Sequence, residues 1–242
     1  METNQNRIIY NTAGTETGTL AKTFMASVFM WMTAAMVITA FTAYYFASDL
    51  SLMKMLVNTE THGLSTLGWV VMLAPLGFVM LMSFGFQRIG LLPMTFLFIV
   101  FSVLMGMSLS FIFLAYTAAS IYKTFFVAAG MFGFMAIVGY TTRTDLTRFG
   151  SLMMMGLVGM LIAMVVNMFM KSGMMEYIIS IAGVLIFTGL TAYDVQKLKR
   201  IGAGVEAGTD DTKKISILGA LTLYLDFINL FLFLLRFMGS RK

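Results

Sequence analysis

Two aspartates stand where a carboxylate is least expected. Asp194 closes the apolar run in FTGLTAYDVQKLKR, and Asp226 falls midway along LTLYLDFINLFLFLLR. Holding a charged side chain at the centre of a hydrocarbon layer costs at least about 2.5–3.5 kcal/mol, so an ionisable residue there implies a role. On helical spacing Thr188 and Thr191 share a face with Asp194, and Thr222 and Asn229 share one with Asp226. Both polar faces are expected to turn inward, toward each other. Two carboxyl groups confronting one another in a low dielectric cannot both ionise cheaply, so the pair holds one proton, and that proton pins the two helices together. When it leaves, repulsion separates the helices or a hard cation such as Ca²⁺ takes its place among the carboxylate oxygens. Taken singly, each residue has a plainer reading. Asp194, beside Gln196 and Lys197, reads as a helix-end charge that snorkels to water. Asp226 reads as a hydrogen-bonded structural pin and Asn229 as glue between helices.

Other chemistries lack their residues. There are no cysteines, which removes disulfides, thiolate metal sites and cysteine nucleophiles together. The one histidine, His62, lies in an expected loop between the first two apolar runs, out of reach of a buried serine and unable to complete a haem or zinc site. Paired aspartates after a Tyr-Asp motif also describe intramembrane aspartyl proteases. Those need Gly-x-Gly-Asp at the second aspartate, where this chain has Leu223-Tyr224-Leu225-Asp226, and a later Pro-Ala-Leu, whereas Pro75 and Pro93 both come early. The chain is therefore not expected to be an enzyme, and no resident cofactor is expected.

The elements that must position the two aspartates follow from composition. Of 242 residues 59% are hydrophobic and 11% charged, where a soluble domain is roughly a quarter charged. A span takes roughly 20 apolar residues, so the chain supplies about seven helices with short loops and no room for a separate soluble domain. Apolar runs are placed at 24–47, 68–86, 91–116, 125–140, 150–170, 177–193 and 215–237. The expected fold is an all-α membrane domain over 23–242, preceded by a polar tail at 1–22 and interrupted by one charged solvent loop at 197–214, KLKRIGAGVEAGTDDTKK. The first run lies too far from the start, and is too long, to be a signal-peptide core, so it is expected to remain. Ser102, Gly106 and Ser110 recur at four-residue spacing and predict a close helix contact. Gly130, Gly133 and Gly139, and Gly156 with Gly159, predict the same. The density of Met and Phe reads as adaptable packing rather than as a cofactor box.

The net charge of +5 is topogenic rather than a nucleic-acid surface. Arg7, Lys22, Arg88, Arg143, Arg148, Lys197, Lys199, Arg200, Lys213 and Lys214 fall on the side of the N-terminus, against Lys54, Lys123 and Lys171 on the other. This asymmetry places the N-terminus in the cytoplasm. The last run is long enough to span, yet spanning puts Arg236, Arg241 and Lys242 outside, so a re-entrant last segment stays open.

Taken together and in order, Tyr193-Asp194, the run at 223–235, the GMSLSFIFLAY stretch and TRTDLTRFGSLMMMGLVGMLIAMVVNMFM resemble the transmembrane Bax inhibitor-1-containing family, especially its bacterial members. The resemblance covers the chain from the first span onward. It implies a bacterial inner-membrane protein of seven helices, the last one central and surrounded by the other six. It also implies that Asp194 and Asp226 form a pH-sensing pair controlling a calcium leak; Tyr193 beside the first, and Thr191 and Asn229 by helical spacing, are the supporting polar residues expected around it. The resemblance further implies an arginine of the second span that latches one aspartate in the closed state, for which Arg88, at that span's edge, is the nearest match. A second expectation comes from bacterial relatives that modulate a membrane-anchored protease: a non-enzymatic regulator, with the polar N-terminal tail carrying the partner contact. The partners implied are the lipid bilayer, Ca²⁺ or another cation, and a membrane protease.

Overall fold

The computed structural model describes the backbone at 2–58, 63–206 and 208–242, and side chains at 19–57, 63–206 and 208–242. His62 and the side chains at 1–18 of the N-terminal tail lie outside the described residues. The main helices are α1 (Glu2–Ser48), α3 (Thr66–Gly85), α4 (Leu91–Leu109), α6 (Ala118–Thr141), α7 (Thr147–Met170), α8 (Gly173–Gly204) and α9 (Asp210–Met238). Two short helices, α2 (Leu50–Leu56) and α5 (Ile112–Ala115), lie in the connections. The strands β1 (Val57–Asn58) and β2 (Gly63–Leu64) pair antiparallel, Val57 opposite Leu64. Seven stretches are long and apolar enough to cross a membrane: Thr19–Ser48 within α1, α3, α4 with α5, α6, α7, α8 and α9. Outward-facing Phe84 and Leu92 are each 82% exposed. A surface of that kind would aggregate in water and is at home in hydrocarbon.

Helix starts are set by side chains that take up orphan backbone N–H groups. Ser65 caps α3, Thr117 caps α6, Ser172 caps α8 and Thr209 caps α9. The predicted third span is broken: Ser110 Oγ bonds the Met107 carbonyl at 2.6 Å, and Phe113 N–H reaches back only three residues, to Ser110 O. A hydroxyl competing for a helix carbonyl tightens the turn there. The segment expected as a loop at 197–214 is mostly helix. α8 runs on to Gly204 and α9 begins at Asp210, leaving a turn of a few residues. At 32 residues α8 is about 48 Å long, against about 30 Å of hydrocarbon, so its charged end stands clear of the membrane as a helix.

α9 is the core of the bundle. It packs on α1, α3, α4, α6 and α8, while α7 packs on α8 from behind. Tyr224, Leu223, Leu230 and Ile217 of α9 are wholly buried. Since lipid tails are as apolar as the core, association rests on close packing and interhelical hydrogen bonds rather than on expelled water. Gly106 meets the backbone of Thr39 on α1, and Gly139 meets that of Ala192 on α8, each so closely that a Cβ would collide with a carbonyl oxygen. Gly130, Gly133 and Gly159 instead have open space where a Cβ would go, so the expected helix contact is absent there.

The last segment crosses the bundle. The tail at 239–242 lies along the third connection: Thr117 N–H donates to Ser240 O, Lys242 N–H to Ala115 O, and Ser240 N–H to Ser120 Oγ. Arg241 pairs with Glu176 at 2.9 Å, near the start of α8. These partners occupy the face opposite the N-terminus. The re-entrant alternative is thereby excluded, and main-chain bonds together with Glu176 supply what the basic C-terminus needs on that face.

Candidate functional site

Asp194 on α8 and Asp226 on α9 both turn into the bundle, 9% and 5% exposed. Their carboxyl groups approach each other closely enough to interact directly. Asp226 Oδ2 is fully enclosed, and no N–H or O–H donor among the described residues reaches it. A carboxylate only accepts, so a bond between two carboxyl groups exists only while one of them carries a proton.

The surrounding polar side chains leave the pair to itself. Thr191, wholly buried, donates to Phe187 O at 2.7 Å, and Thr188 donates to Val184 O. Asn229 Nδ2 donates to Leu225 O at 2.8 Å. Each thus bonds the carbonyl one turn back in its own helix. Thr222, expected to face inward, is exposed and bonds Leu218 O in the same way. A side chain that satisfies itself on its own backbone has no need of the interior, so the polar periodicity overstates the inward face. Tyr193 is half-buried, its ring against Gly150 of α7 and 5.9 Å from the Lys197 ammonium. Arg88 sits exposed in the turn after α3, with neither an ion pair nor a side-chain hydrogen bond among the described residues. The basic residue whose charge bears on Asp194 is Lys197, one turn along α8.

Two groups of residues that hold the pair in place were not singled out in the sequence. Two residues after Asp194, Gln196 clamps α8 to the fourth connection: its Oε1 accepts from Leu146 N–H and its Nε2 donates to Thr144 O, both at 2.8 Å. Arg200 adds bonds to Gln196 Oε1 and Asp145 Oδ1. The Thr147 hydroxyl, followed by Arg200, holds the Asp145 carboxyl well below the usual carboxylate range. Two residues before Asp226, Tyr224 is wholly buried. The Thr39 hydroxyl donates to Ser102 O at 2.9 Å, so the 2.8 Å bond between Thr39 and Tyr224 has the phenol as donor. This chain ties α9 to α1 and α4 beside the pair. A tyrosine in mid-span was its one visible signal.

Seven apolar spanning helices closed around a buried carboxyl pair define an all-α integral membrane protein. The chain belongs to the Bax inhibitor-1 family: the family described as "Inhibitor of apoptosis-promoting Bax1" matches residues 21–242. It is 46% identical to the inner membrane protein YbhL of Escherichia coli K12, over 91% of this chain and 93% of that one. It is also 41% identical to protein RP147 of Rickettsia prowazekii, over 90% of each chain. A protein of Borreliella burgdorferi is similar at 41% identity, over 90% of this chain and 92% of its own.

Proposed function

We propose that this protein is a proton-controlled cation leak of a bacterial inner membrane, with calcium as the cation and Asp194 and Asp226 as the gate. The observation that carries the reading is the enclosed Asp226 Oδ2, which no donor among the described residues reaches, on a carboxyl that faces the carboxyl of Asp194. With one proton between them, α8 and α9 are joined and the pathway is shut. Without it, two like charges face each other in a low dielectric, and the separation of the helices or the arrival of a cation relieves them. Two carboxyl groups supply at most four oxygens, short of the six to eight that Ca²⁺ takes, so the ion is cargo rather than a resident. The role is transport, not catalysis. The preponderance of Lys and Arg at the N-terminal end of the bundle supports a cytoplasmic N-terminus, which sets the pair nearer the cytoplasmic mouth. The test is calcium uptake into proteoliposomes as a function of pH. Wild type should leak more as pH rises, and D194N and D226N should each lose that dependence. A pH profile unchanged in both variants would sink the reading.

A further inference from the structure

α1 and α6 each pack on α8 and α9 but barely meet one another, so the seam between them stays open to the lipid. At its N-terminal end the seam widens into a groove of about 350 Å³ lined by Lys22, Met25 and Phe29 of α1 and Ala136, Ile137 and Tyr140 of α6. Met25 and Phe29 follow Lys22 by three and seven residues and so share its helix face, an apolar floor about 10 Å long beneath one cation. Lys22 is exposed, and among the described residues it takes part in no ion pair and no acidic side chain lines the groove. The same end gathers further positive charge. Lys199 Nζ donates to Tyr140 O at 2.7 Å and lies 4.7 Å from that ring, and Arg143 follows two residues after Thr141.

We propose that this groove binds an anionic phospholipid of the leaflet at the N-terminal face, its phosphate on Lys22 and one acyl chain along Met25, Phe29 and Ile137. Charge complementarity decides the occupant. An apolar floor continuous with the hydrocarbon takes an acyl chain, and an ammonium at the headgroup level, with no ion pair and no lining carboxylate among the described residues, selects a negative headgroup. The other half of the same seam supplies the contrast. There a cleft of about 370 Å³ lined by Thr39, Tyr44, Ile121, Phe125, Phe227 and Phe231 carries no charged side chain, so it has no basis for choosing among headgroups.

Native mass spectrometry of the full-length protein in detergent, titrated with phosphatidylglycerol or phosphatidylcholine, tests this. Wild type should retain phosphatidylglycerol preferentially, and K22A should weaken it about fivefold, the effect of one cation at an anionic surface. K22R should restore it, K123A on the opposite face should leave it unchanged, and phosphatidylcholine binding should be the same in all variants. Soluble glycerol phosphate should not displace the lipid. Equal phosphatidylglycerol binding by wild type and K22A, or displacement by glycerol phosphate at lipid-like concentrations, overturns the proposal.

Discussion

At the scale of single residues, Asp194 and Asp226 owe their partnership to the silence of their neighbours. Thr188, Thr191, Thr222 and Asn229 all look like donors in the sequence, yet each spends its proton on a carbonyl of its own helix. Asp145 is the useful counter-example, because its carboxyl has Thr147 and Arg200 to receive it and faces solvent. Its folded value is depressed, so the stability it contributes is present above the ordinary carboxylate range and lost only as pH falls through the depressed value. Across neutral pH it stays ionised. D145N is therefore expected to leave the pH midpoint of calcium flux where it is in wild type, and a shifted midpoint in proteoliposomes would move the sensor away from the buried pair. The two aspartates were legible because charge in an apolar run needs no further context. Gln196 and the Tyr224–Thr39–Ser102 chain were not, since their partners lie on other helices and in a distant connection, and no local pattern encodes such pairings.

At the scale of elements, the spans were legible from hydropathy and their ends were not. Hydropathy drops at Lys197, but the helix continues because Gln196 and Arg200 anchor that end to the fourth connection. The third span reads as one run, although the Ser110 hydroxyl interrupts it. The glycines divide in a similar way, since spacing identifies a small residue and not what faces it. G139A should drive α6 off the Ala192 carbonyl and cost about 1–3 kcal/mol, in the range of overpacked contacts. G133A meets nothing and should be neutral or stabilise by up to about 1 kcal/mol through helix propensity. Unfolding in mixed micelles measures both, and equal effects would contradict the packing described for α6 on α8.

At the scale of the whole molecule, α8 and α9 form an inner pair that the other spans enclose, and the C-terminal tail closes the far end. Hydrogen bonds donated to Tyr116 and then Glu176 hold the Arg241 guanidinium even above its ordinary value, so this strap stays charged at any physiological pH. The chain has no cysteine, which makes a single K242C substitution a clean topological probe. A membrane-impermeant maleimide should label K242C from the outside of intact cells, and labelling only after lysis would return the last segment to the cytoplasmic side. The central claim, a single proton held between two helices, is tested most directly by infrared spectroscopy on protein carrying isotope-labelled aspartate. The account predicts one protonated-carboxyl band at neutral pH that fades as calcium flux rises and is missing from D226N. A wild-type spectrum with no such band, or a band that persists in D226N, would contradict it.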